Sequence, residues 1–147
     1  MERARFRRDL DCRRGQTDER IPAPSGIAFK VYAGLHQAMR KGCVRAAHDL
    51  SEGGLGVAAA EMCIGGRLGM ELSLPADEAH LTRALFGESN GCLLVEVPGE
   101  QAGNFEKHFT GLPFLKLGVV TDNPELKINT MSLTVCDLVK AWIGANL

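Results

Sequence analysis

The run His48-Asp49-Leu50-Ser51-Glu52-Gly53-Gly54-Leu55 gathers charged, hydroxyl and glycine residues between a short, mostly apolar stretch, Cys43 to Ala47, and an apolar run from Leu55 to Ile64. The first stretch reads as a strand. The second is rich in helix formers with one acid and reads as a largely buried helix. Two adjacent glycines let the backbone turn sharply and present its N–H groups, and the helix that follows adds unpaired donors and the positive end of its dipole. Such a junction favours an anion, and phosphate is the obvious one. Asp49 and Glu52 fit beside phosphate if a divalent ion lies between, since magnesium is usually held by one or two protein carboxylates together with substrate phosphates. The plainer alternative is that Asp49 or Ser51 caps the helix and that the glycines serve only the turn.

A second cluster, Leu85-Phe86-Gly87-Glu88-Ser89-Asn90-Gly91, precedes the apolar stretch Cys92-Leu93-Leu94-Val95-Glu96-Val97. Taken together, HDLSEGGL continued as GVAAAEM, this second cluster, and the closing segments Leu117 to Thr121, Leu126 to Ile128 and Leu133 to Trp142 resemble the C-terminal domains of phosphoribosylformylglycinamidine synthase, within the AIR synthase-related superfamily. The likeness runs in order over residues 24–147, which a single chance motif would not do.

That resemblance implies an ATP-dependent enzyme of purine biosynthesis. It converts formylglycinamide ribonucleotide to the amidine by activating the amide oxygen, with ammonia delivered from glutamine by a separate glutaminase subunit. Carried over position by position, Asp49 becomes the magnesium ligand, and Glu88, Ser89 and Asn90 the contacts to the small-molecule nucleotide substrate. Ser51, Gly53 and Gly54 would shape the phosphate loop, with His48 and Glu52 behind them. ATP and magnesium are the implied cofactors, and a preceding ATP-binding domain and a companion half of the synthase are the implied partners. Two departures matter. The family's catalytic half carries Gln-Asp and Glu-Ser-Gln, whereas His48 precedes Asp49 here and Asn90 stands in the Gln position. The chain therefore resembles the C-terminal domain of the second half, whose pocket would hold a structural nucleotide or nothing. No P-loop, GxGxxG or kinase-type lysine is present either, so the isolated chain is expected not to turn over, and an uncovered interface would favour a homodimer. The alternatives are the same domain from another ATP-dependent enzyme or maturation protein of the superfamily, or a non-catalytic binding or assembly module.

Composition is consistent with a piece of a cytoplasmic enzyme. The 147 residues are 45% hydrophobic and 24% charged with a net charge of -1, which gives no electrostatic attraction to nucleic acid or membrane. No apolar stretch approaches the ~20 residues that span a bilayer. Five widely spaced cysteines without a CxxC pair read as thiols in a reducing compartment. Aromatic content of 5% argues against a stacking platform for single-stranded nucleic acid.

The elements that must position these residues follow from local pattern. Residues 1–24, with seven arginines up to Arg20, interspersed acids, and then Pro22 and Pro24, read as a disordered tail or severed linker. Residues 25–147 read as one domain. Ser25 is the expected cap of a helix to Lys41, with Ala28, Val31, Leu35, Ala38 and Met39 on one face and Gly42 as its stop. A strand at Met70 to Leu74, a helix from Asp77 to Leu85, and a helix from Gly99 to Phe109 follow. Strands are expected over residues 114–121 and 125–129, separated by the turn Asp122-Asn123-Pro124. A last helix starts near Ser132 or Thr134 with Leu138, Trp142 and Leu147 facing inward. Interleaved helices and strands predict an α/β fold of the α+β type. The resemblance implies a mainly antiparallel or mixed sheet flanked by helices, partly ferredoxin-like.

Overall fold

A computed structural model describes residues 26–74, 78–88 and 91–144. The Arg-rich segment, Ser25 and Leu147 lie outside them. Helix α1 (Ala28–Arg40) has no side-chain cap at Ile27, and the Gly42 N–H closes its C-terminus on the Met39 carbonyl at 3.0 Å. Gly34, Leu35 and Ala38 are its buried face. Met39, expected there too, is 42% exposed, because the buried positions 34, 35 and 38 define a stripe that residue 39 just leaves.

Strand β1 (Ala46–Asp49) pairs antiparallel with β3 (Leu93–Glu96), with Ala46 opposite Glu96 and Asp49 opposite Leu93. The pleat divides β3 between two cores. Leu93 and Val95 pack on Leu35, Ala38 and Cys43, on Phe105 of α4 (Ala102–His108), which a single 3-10 turn at Gly99–Gln101 introduces, and on Phe109 just after that helix. Leu94 turns to the other side, toward helix α2 (Gly54–Gly66). A pair of strands is marginal alone, and here helices cover both faces.

The larger sheet has four strands in the order β4 (Gly118–Thr121), β2 (Gly69–Leu72), β5 (Glu125–Ile128), β6 (Met131–Thr134). Only β2 and β5 are parallel, so the sheet is mixed. Met70, Leu72, Leu126 and Ile128 point inward to Leu55, Ala59 and Cys63 of α2, Leu85 of α3 (Glu78–Phe86) and Val135 of α5 (Val135–Trp142). Each such buried aliphatic side chain contributes about 1.5–3 kcal/mol. On the outer face Lys127 Nζ meets Glu71 Oε1 at 3.3 Å. Among the described residues no helix is long and apolar enough to cross a membrane.

Four expectations need correcting. The first strand is Ala46–Asp49 rather than Cys43 to Ala47, so His48 and Asp49 belong to it. The strand expected over residues 114–121 is confined to Gly118–Thr121. Ser132 lies in β6, an edge strand with all four residues exposed; the helix starts only after Thr134, whose Oγ1 accepts the Asp137 N–H at 3.1 Å. Trp142 does not face inward. Along α5, Val135 is 3% exposed, Leu138 and Val139 are half-buried, and Trp142 is 63% exposed, so this helix leaves the core along its length.

Candidate functional site

Residues His48 and Asp49 end β1, and consecutive strand residues point to opposite faces. His48 pairs across the ladder with Leu94 and so faces α2. Its Nε2 lies 2.6 Å from Glu61 Oε2. Its Nδ1 lies 2.7 Å from the Asp49 carbonyl oxygen, and since a carbonyl and an ionised carboxylate both only accept, each of the two contacts needs a hydrogen on the ring nitrogen that it meets. The Asp49 side chain is 65% exposed, with its carboxylate 3.7 Å from His48 Nδ1. The Leu50 N–H then bonds the Cys92 carbonyl at 3.1 Å, which lays the motif beside the chain entering β3.

Beyond Ser51 and Glu52, both exposed, come two left-handed glycines, Gly53 at φ +77° and Gly54 at φ +62°. The Val57 side chain leaves no room for a Cβ at Gly53, and a Cβ at Gly54 would lie 2.8 Å from the carbonyl oxygens of both Leu85 and Gly87. Glycine is what lets the end of α3 rest against the start of α2. This close approach also carries the second cluster to the first: the Gly53 N–H donates to Glu88 Oε1 at 3.4 Å. Neither Asp49 nor Ser51 caps α2, whose N-terminus has no side-chain cap. Arg45 Nη1 bonds Glu96 Oε1 at 2.9 Å across the β1–β3 ladder. Ser89 and Asn90 lie outside the described residues. Gly91 follows at φ +85°, where a Cβ would stand 3.0 Å from the Tyr32 hydroxyl of α1.

Glu88 and the Gly-Gly turn meet at the uncapped head of α2, while Asp49 ends β1 with its exposed carboxylate beside His48. A carboxylate next to a helix N-terminus already supplies negative charge there. A phosphate brought to that N-terminus would meet the Glu88 carboxylate, whose charge a cation would have to offset. Asp49 is the carboxylate that could hold magnesium, an ion usually bound by one or two protein carboxylates together with substrate phosphates. Among the described residues no cluster of three or more His, Cys, Asp or Glu side chains could hold a metal by itself.

Two residues at this junction escaped the sequence reading. Glu61 had a signal, being the one acid of an apolar helix. Tyr32 had none, since nothing local to α1 says what its exposed face meets. Resolved shifts in acidity lie elsewhere: burial pushes the Cys63 thiol up, and Asp137 is lowered chiefly by the Thr134 hydrogen bond and then by Lys140.

Comparison with known proteins adds an independent line. The sequence profile of the family "AIR synthase related protein, C-terminal domain" matches residues 17–130. Phosphoribosylformylglycinamidine synthase subunit PurL of Prochlorococcus marinus is 41% identical over 128 residues, covering 81% of this chain and 16% of the relative. The Deinococcus radiodurans subunit of the same name is 35% identical over 128 residues, covering 82% and 17%. The chain thus spans about one-sixth of the length of these curated relatives. Among solved structures, Thermotoga maritima PurL complexed with FGAR superposes with a TM-score of 0.69 at 18% identity, over 88% of this chain and 24% of that one. The same protein complexed with ATP gives 0.64 at 21% identity, over 74% and 21%. At these identities the superpositions establish a shared fold.

Proposed function

The chain belongs to the AIR synthase related proteins, as a C-terminal domain of that family, and from that premise we propose that it is the C-terminal domain of a phosphoribosylformylglycinamidine synthase. The observation that carries the site is the Gly53 N–H to Glu88 bond, which brings two motifs far apart in sequence to one sheet end. The relatives at 35% and 41% identity support the synthase over other enzymes or maturation proteins of the superfamily.

In the full enzyme, the amide oxygen of formylglycinamide ribonucleotide takes the γ-phosphoryl group of ATP. Ammonia then forms the new C–N bond at that carbon, and phosphate departs with the original oxygen to leave the amidine. Phosphoryl transfer asks for charge neutralisation and positioning more than covalent chemistry. Asp49 is the residue that would hold magnesium, which when bound supplies that neutralisation. The Gly53-Gly54 turn and Ser51 orient phosphate at the head of α2, and Glu88, with Ser89 and Asn90, contacts the nucleotide substrate. His48 and Glu52 support the turn. An ATP-binding domain, the companion half of the synthase and a glutaminase subunit complete the machine, and placement in the cytoplasm follows from the assignment. His48 before Asp49, with Asn90 after Ser89, makes a structural-nucleotide site in the second half the closest reading of this copy.

Isothermal titration of the chain with Mg·ATP is expected to show binding that Asp49→Asn and Glu88→Gln each weaken, without release of inorganic phosphate. Binding of equal strength in all three chains would overturn the site, and phosphate release abolished by Asp49→Asn would overturn its non-catalytic reading.

A further inference from the structure

From Leu55 to Ile64, α2 carries one charged residue, Glu61, and its side chain is only 25% exposed. A carboxylate so far out of water is costly unless bonded. Its bond is the 2.6 Å contact to His48 Nε2, while the other ring nitrogen donates to the Asp49 carbonyl at 2.7 Å. The imidazole therefore bridges a helix side chain and the main chain at the last residue of β1. We infer that Glu61 is a positioning residue of the site: acting through His48, it anchors the end of β1 to α2 and thereby sets where the Asp49 carboxylate stands.

Such an anchor has work to do at this place and not elsewhere on the strand. Asp49 belongs to the last ladder pair of a two-stranded sheet, one main-chain bond from Leu50 to Cys92 follows, and the left-handed glycines begin four residues on. The pleat sends His48 toward α2 and leaves its neighbour Asp49 exposed, with the Asp49 carboxylate still 3.7 Å from His48 Nδ1, so the imidazole meets both the backbone and the side chain of that residue. Fixing one side chain of the pair fixes the backbone from which the other departs. The consequence for ligand binding rests on the phosphate and magnesium reading above; the anchor itself rests only on the distances.

The test compares the wild-type chain with Glu61→Ala, Glu61→Gln and His48→Ala by amide hydrogen exchange at Leu50 and by titration with Mg·ATP, after circular dichroism establishes that each variant is folded. Glu61→Ala is expected to speed exchange at Leu50 by about tenfold, as befits one lost hydrogen bond to a charged group, and to weaken Mg·ATP binding in step. His48→Ala should do the same, and the double variant should be no worse than either single one. Glu61→Gln keeps an oxygen within reach of Nε2 and should recover most of both effects. Should Glu61→Ala fail to fold, His48→Ala still reads the anchor from its other end and Glu61→Gln from the same one. Unchanged exchange at Leu50 in a folded His48→Ala or Glu61→Ala chain overturns the inference, as does a glutamine variant no better than alanine, or faster exchange with Mg·ATP binding intact. If the wild-type chain binds no Mg·ATP, the phosphate reading fails, and hydrogen exchange alone decides whether Glu61 holds the strand.

Discussion

Replacing Gly54 by alanine adds one methyl group to the closest approach in the site. At φ +62° any Cβ is strained, at roughly 1–2 kcal/mol for a left-handed residue other than glycine. The new carbon would also lie 2.8 Å from two carbonyl oxygens and 3.0 Å from the Phe86 carbonyl carbon. These are backbone atoms that no rotamer change can move aside, so an overpacking cost of about 1–3 kcal/mol follows. The sum is about 2–5 kcal/mol, a large share of an ordinary domain's stability of ~5–15 kcal/mol. Gly65→Ala is the control on the same helix, since nothing lies within 4 Å of its Cβ; there alanine should stabilise by about 0.5–1 kcal/mol. Urea unfolding followed by circular dichroism measures both, and at about 4 °C per kcal/mol thermal scans should separate them widely. If Gly54→Ala unfolds at the wild-type midpoint while Gly65→Ala behaves as stated, the end of α3 is not seated on the head of α2, and the two motifs do not meet as described.

Asp137 has its acidity raised in the fold, first by the Thr134 hydroxyl and then by Lys140, so it stabilises fully above the unfolded carboxyl's pKa and loses that contribution as pH falls through the lower folded value. Urea midpoints should therefore show less acid sensitivity in Thr134→Val than in wild type, although the variant is weaker at neutral pH; identical acid sensitivity would refute the coupling. Thiol labelling should reach exposed Cys136 well before Cys63, where burial both shields the sulfur and disfavours the thiolate, and mass spectrometry of timed digests gives the order. With Phe29 79%, Trp142 63% and Ile143 67% exposed, the chain should self-associate or bind a hydrophobic dye; monodisperse monomer in light scattering with no dye fluorescence would count against an uncovered interface.

The motif helix was legible because glycines, an apolar run and a following Gly-Gly pair punctuate it on both sides, and the turn Asp122-Asn123-Pro124 announced the break between β4 and β5 through its own chemistry. Strand β6 was not legible: Met131, Ser132, Leu133 and Thr134 are all exposed, so no buried alternation marks them, and what creates the strand is pairing with β5. The turn before it depends on Asn129 at φ +54°, whose side chain bonds both the N–H and the carbonyl of Leu74, 55 residues away. Trp142 misled for the related reason that a helix's apolar spacing names a face but not how far the neighbouring core extends. In the site, the types of Asp49, Gly53 and Glu88 were visible in the sequence, but the pairing of His48 with Glu61 needed the register of β1 on α2, and one residue of slip would have sent His48 to the opposite face.

The parallel pairing of β2 with β5 sets a timetable for folding. Met70 meets Leu126, so the central strand pair of the larger sheet cannot form until some 56 further positions have been made, while local helices form in about a microsecond. At ~5–20 residues per second, β2 waits roughly 3–11 s during synthesis before its parallel neighbour exists. Its other neighbour, β4, also comes from beyond residue 117. Until residue 118 is made, the inward faces of Met70 and Leu72 have only helices α2 and α3 and Leu94 to shelter them, and a ribosome paused just before Leu126 would hold a chain with the candidate loop complete and β2 paired on its β4 edge alone.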